Sequence, residues 1–210
     1  MLSKDVETYH RPRPGRRRRT VAVLAGLALT GLLAPLGGAA AQADDVAPLA
    51  GGVLIDVGGA GDGTFVADSY GTDGIPDTKP DTRASLPNFG LTVAHPIPAA
   101  IWNTSRFLES SYTVPGLTPG GAYQVRLYFM DWYFQKQGQR VFDVDLDGTR
   151  VLTDFDIIKA ASTAGADGQA AFGVERDFPV TVDASGTATI NFVRGSTNQP
   201  QINAIAIVPQ

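Results

Sequence analysis

The stretch AYQVRLYFMDWYFQKQGQRVFDVDLDGTRVL, Ala122 to Leu152, decides the fold. Its first part alternates Val125, Leu127 and Phe129 with Gln124, Arg126 and Tyr128. Its later part alternates Phe142, Val144 and Leu146 with Asp143, Asp145 and Asp147. A period of two places one set of side chains on a buried face and the other toward solvent, the pattern of a half-buried β-strand. Asp147-Gly148 is a strong two-residue hairpin signal that turns the chain into a further strand at TRVL. Between the two alternating runs, Trp132, Tyr133 and Phe134 continue past the apparent end of the first strand into the polar segment Gln135 to Arg140. A core strand buries its aromatics and stops, so these three need a separate account.

Outward from this centre, Val53 to Val57 is an apolar run between glycine pairs and reads as a buried strand. FPVTV, TATINFV and INAIAIV add further short strands, and Asp156 to Ser162 suggests a helical turn or two. Residues 58–100 are rich in Gly, Pro and Asp and read as irregular, a length of loop that is uncommon unless it is functional. No internal repeat is present. Many short strands at this spacing predict an all-β antiparallel β-sandwich.

The beginning of the 210-residue chain has an export pattern. Arg16 to Arg19 form a basic region, Val21 to Leu36 an apolar one, and Ala41-Gln42-Ala43 a cleavage signal. Arg18-Arg19 leaves the twin-arginine route open. The reading is a signal peptide at 1–43, a short linker at 44–52 and one domain at 53–210, in a protein that is secreted or at the cell surface. An uncleaved anchor is the competing reading, because the apolar run is nearly long enough to span a bilayer, and only then would a membrane be a partner. Removing residues 1–43 takes away 7 of 17 Lys and Arg and 2 of 21 Asp and Glu, leaving 10 against 19 and a net charge near −9. That sign repels phosphate backbones and argues against a nucleic-acid partner. The absence of Cys excludes thiol catalysis and Cys-ligated zinc.

Several motifs fail on inspection. DVDLDGTRVLTD places Asp143, Asp145, Asp147, Gly148 and Asp154 like an EF-hand loop, but Arg150 occupies the usual apolar position and the approach is strand-periodic. VLIDVGGAGDG starts like a dinucleotide fingerprint, yet Thr64 stands where the third glycine should. His95 is the one histidine outside the export segment, and it precedes Pro96 in a Pro-rich loop without a G-x-S-x-G partner. No catalytic residue, metal ligand or cofactor is assigned. A two-carboxylate glycosidase stays open by residue count, with Asp131 in the most apolar setting of the carboxylates.

Sugars present flat C–H faces rimmed by hydroxyls, so a site for them needs exposed rings to stack on and polar groups beside the rings. Trp132-Tyr133-Phe134 followed by Gln, Lys and Arg meets that need. The competing reading is that Trp132 and Phe134 fold back to cap the core.

Taken in order, IWNTSRF, LYFMDWYF, GQRVFDV, the Asp147-Gly148 hairpin, FDI and NQPQINAIAI resemble the malectin family and its bacterial relatives, the family 57 carbohydrate-binding modules. Those domains show F-A-E-x-Y-F, then G-Q-R-V-F-D-V, an N-G hairpin and a D-I motif. The opening IDVGGAGDGTFVADSYGTDG looks like the family's N-A-G-G start and D-x-Y loop. The resemblance spans about Val53 to Val208. It implies a jelly-roll-like, galactose-binding-domain-like β-sandwich and a non-catalytic module for glucose-containing glycans. Tyr133 and Phe134 match the family's aromatic pair, and Tyr70 matches the tyrosine of the early loop. In the family's L-Y-Q-T-E-R-Y segment Trp102 stands where a tyrosine would. Asn198 falls where malectin has an aspartate, and Asp131 replaces the family's glutamate. The expected site is Tyr133, Phe134, Tyr70 and Trp102 for stacking, with Asn198 and Asp131 for hydroxyls. A protein-binding or structural module on the same fold is the alternative function.

Overall fold

The computed structural model describes residues 51–78, 92–162 and 172–210. The export segment at 1–43 and most of the linker lie outside the described residues. In chain order the elements are β1 (Val53–Asp56), β2 (Gly71–Thr78), a 3-10 turn (Ala99–Asn103), β3 (Thr104–Val114), β4 (Ala122–Phe129), β5 (Val141–Leu146), β6 (Thr149–Phe155), α1 (Ile157–Ala161), β7 (Val174–Thr181), β8 (Ala188–Thr197), β9 (Gln201–Ile202) and β10 (Ala204–Pro209). A four-stranded sheet runs β1-β10-β4-β7, and a six-stranded sheet runs β2-β3-β8-β5-β6 with β9 beside β3. The strands pair antiparallel throughout. No helix among the described residues is long and apolar enough to cross a membrane.

Alternation makes this a sandwich. Val125, Leu127 and Phe129 of β4 face Phe142, Val144 and Leu146 of β5 and Ile190 and Phe192 of β8 across one buried core, joined by Ile55, Val57, Ile205 and Ile207. The β5–β6 turn has Asp147 at φ 48° and Gly148 at φ 76°, the two left-handed positions that match strand twist in a two-residue hairpin. Asp143 and Asp145 pair with Arg150 across that hairpin, so the EF-hand spelling is a strand face. The helical turn forms as expected, with Asp156 Oδ1 accepting the Lys159 N–H at 3.0 Å as its N-cap.

The fold departs from the sequence reading at several points. Residues 71–78, expected as loop, form the edge strand β2. Its Gly-, Asp- and Pro-rich sequence carries no alternation because its side chains are mostly exposed, and Pro76 is tolerated at an edge. The irregular segment also does structural work. The outer face of the four-stranded sheet carries Tyr128, Ala204 and Ala206, and Phe65, Val93, Ile97, Ile101, Trp102, Met130 and Trp132 cover it in a second apolar cluster.

The INAIAIV run is broken at Asn203, where the chain leaves the six-stranded sheet at β9 and enters the four-stranded sheet at β10. Asn203 is fully buried. Its Oδ1 accepts the Met130 N–H at 2.7 Å, and its Nδ2 donates to Thr104 O at 2.8 Å and Trp102 O at 3.3 Å. Its backbone N–H donates to Tyr128 O, and its carbonyl accepts from Val57 N–H. The polar residue in an apolar run is there to satisfy backbone groups where the strand pairing is interrupted.

Candidate functional site

β4 ends at Phe129, and the chain then makes a polar loop before β5 begins at Val141. Asp131 shapes the loop. It is 2% exposed; Oδ1 accepts the Tyr133 and Phe134 N–H groups at 3.0 and 2.9 Å, and Oδ2 accepts Arg140 Nε at 2.7 Å. Arg140 is buried as well, donates from Nη1 to Gln199 O at 2.7 Å, and lies with its guanidinium carbon 5.1 Å from the Phe134 ring centre. At the far end Gln139 Oε1 accepts the Gln135 and Lys136 N–H groups, and Gly138 N–H donates to the helix cap Asp156 at 2.5 Å. The loop is thus fastened by two carboxylates and an amide, and its aromatics are pre-set.

The three consecutive aromatics separate. Trp132 turns inward to the second apolar cluster, at 4% exposure. Tyr133 is 72% exposed. Phe134 is half-buried, its ring perpendicular to that of Tyr133 at 4.9 Å between centres. Together with Asp77, Phe107, Arg140, Asn198 and Gln201 they line a cleft of ≈ 370 Å³. Gln201 is held from beneath by the bond from its Nε2 to Met130 O at 2.6 Å.

Of the six residues expected at the site, Tyr133, Phe134 and Asn198 meet in this cleft. Trp102 does not. It is 0% exposed, edge-on to Tyr128 at 5.9 Å, and so close to Gly173 that a Cβ there would meet its ring at 2.9 Å. It serves as cover for a sheet face. Tyr70 packs half-buried against the inter-sheet core and is not among the cleft's lining residues. Asp131 acts from behind the cleft, with both oxygens already accepting from the protein. Phe107, Asp77, Arg140 and Gln201 were missed. Phe107 was within reach, because IWNTSRF ends at Phe107 where the family pattern ends in tyrosine. Asp77 lies in β2, which gave no strand signal.

A second grouping sits on the outer face of the four-stranded sheet. His95 Nδ1 lies 2.6 Å from Glu175 Oε1 and 3.5 Å from Asp177 Oδ2. Each residue offers a donor within 4.8 Å of the others, a mixed nitrogen and oxygen set that a divalent cation could use. Burial, and then the neighbouring Glu175, push the Asp177 carboxyl up to about 6. Arg126 faces Asp177 across the β4–β7 pairing and supplies a compensating positive charge. None of these residues lines the cleft.

The malectin domain family model matches residues 61–205. The chain is 30% identical over 115 residues to malectin of Danio rerio, a stretch covering 51% of this chain and 40% of that protein. It resembles the extracellular domain of ANXUR1 from Arabidopsis thaliana with a TM-score of 0.59 at 20% identity, over 75% of this chain and 47% of that one. It also resembles a chain in the crystal structure of plant peptide RALF23 in complex with FER and LLG2, with a TM-score of 0.59 at 18% identity, over 79% and 53% of the two chains. At these identities the structural likeness speaks to the fold, a jelly-roll-like β-sandwich. The chain spans less than half the length of the malectin it matches.

Proposed function

The chain belongs to the malectin domain family, and on that premise we propose that its cleft binds carbohydrate without transforming it. The carrying observation is Tyr133, a large ring 72% exposed at the rim of a cleft that also presents Phe134, Phe107, Asp77, Asn198, Arg140 and Gln201. Exposing so much apolar surface gives up burial that folding would otherwise gain, unless a ligand covers it. Sugar C–H faces stack on the rings, and hydroxyls meet the carboxylate and the amides. Glucose-containing glycans are the proposed class, from the family resemblance. Hydrolysis would need two carboxyl groups across the bond, at roughly 5–10 Å. Among the described residues Asp77 is the one carboxylate lining the cleft, while Asp131 is buried in its pair with Arg140. Incubation with α- and β-glucans should therefore release no reducing ends.

The direct test is a glycan array probed with the protein, followed by titration of the glycans it retains. Binding to glucose-containing glycans that is lost in Tyr133→Ala supports the reading. An array with no glycan retained overturns it. A protein partner is the second reading. It is favoured by the fold neighbour that was solved with a peptide and a further protein, and by Ile75, 49% exposed on the edge strand β2. The proposed setting is extracellular, with the mature chain beginning near Asp44. N-terminal sequencing of exported protein tests this, and an intact Met1 on membrane-bound material would show an anchor.

A further inference from the structure

Tyr133 and Phe134 border two depressions. Besides the cleft with Phe107 and Asn198, a second one of ≈ 280 Å³ is lined by Tyr133, Phe134, Gln135, Lys136 and Gln139. The aromatic pair is therefore a ridge between two basins, and its mutually perpendicular rings present faces in different directions. The second basin is built rather than casual. Gln139 fixes the Gln135 and Lys136 amides, Gly138 is tied to Asp156, and Gln137 Nε2 donates to Ser162 Oγ at 3.0 Å. A ligand entering it meets a loop backbone that is already fixed, which lowers the cost of ordering the site.

Resting on the carbohydrate reading, we propose that the ligand is an oligosaccharide that straddles Tyr133, with one end in the Phe107–Asn198 cleft and the other in the Gln135–Gln139 basin. Contact in both basins needs sugars on each side of the ridge and the stretch that crosses Tyr133, so full occupancy takes a chain of about four sugars rather than a terminal disaccharide. Lys136 and Gln135 contribute an ammonium and a carboxamide, groups that donate to hydroxyl and ring oxygens, and no carboxylate is among the described residues that line the basin.

The test is calorimetric titration of the full protein with gluco-oligosaccharides of increasing length, from disaccharide to hexasaccharide, in α-1,4, β-1,3 and β-1,4 series. In the series that binds, affinity should rise about tenfold or more between the disaccharide and the tetrasaccharide and then level off. A Gln135→Ala, Lys136→Ala double variant should lose that rise, with tetrasaccharide affinity falling to that of the disaccharide. Disaccharide binding with no gain on lengthening overturns the straddling inference and leaves the carbohydrate reading standing. A gain that survives in the double variant overturns it too, because the added contacts then lie elsewhere. Failure of every member of every series to bind overturns the glucan reading, and the inference with it.

Discussion

Two aromatic residues that looked alike in the sequence have opposite fates, and they predict opposite phenotypes. Tyr133 is solvated on a fastened loop; Trp102 is fully buried in one cluster with Val93, Ile97 and Ile101. Losing a central aromatic anchor typically costs about 2 kcal/mol of binding, so Tyr133→Ala should weaken glycan affinity on the order of 30-fold. Its stability should stay within roughly 0.5 kcal/mol of the parent, as for other exposed substitutions. Trp102→Ala should instead lower stability by about 3–5 kcal/mol, with little change in affinity while the protein remains folded. Paired denaturant melts and titrations separate the two, and a Tyr133→Ala protein that binds normally but unfolds early would make Tyr133 a packing residue. The exposed position of Tyr133 was legible because it follows a clearly alternating strand, precedes a polar loop and matches the family's aromatic pair. The position of Trp102 was not legible, because its burial depends on a loop covering the far side of a sheet, a contact that has no period in the sequence.

At the scale of the element, the loop from Asp131 to Arg140 is held from behind by Asp131 and Asp156, neither of which lines the cleft or the second basin. Asp131→Ala would strand the Arg140 guanidinium, buried at 6% exposure, without its carboxylate. Breaking a buried ion pair from one side costs about 3–5 kcal/mol. It would also release the Tyr133 and Phe134 N–H groups, so affinity should fall together with stability. Asp131→Asn retains an acceptor for those two amides and loses the charge. It should keep measurable glycan binding while melting earlier than the parent. If Asp131→Asn abolishes binding at full stability, Asp131 contacts the ligand itself and its assignment as a loop fastener is wrong. The Asp156 cap works from the other side, joining α1 to the loop through Gly138. The FDI motif was visible in the sequence, but its link to Gly138, 18 residues away, was not.

Across the whole molecule, the sandwich was legible because β4, β5, β8 and β10 alternate or run apolar, as strands between two faces must. What stayed hidden was where the chain changes sheet. Asn203 sits at that crossing, and its carboxamide bonds Met130 N–H, Thr104 O and Trp102 O in a fully buried setting. Met130 leads into the aromatic loop, Thr104 begins β3, and Trp102 seals the second cluster, so one side chain holds the site to both sheets. Asn203→Ala leaves those groups without partners, and each orphaned buried group costs about 1–3 kcal/mol, not additively. The variant should lose at least about 3 kcal/mol in denaturant unfolding. Both tryptophans of the chain, Trp102 and Trp132, pack in the second cluster, so their fluorescence reports its integrity. The emission of Asn203→Ala should shift to the red at denaturant concentrations where the parent is still native. A variant as stable as the parent would mean that the sheets hold their registers without this residue. The break between β9 and β10 would then be a passive consequence of the chain's path.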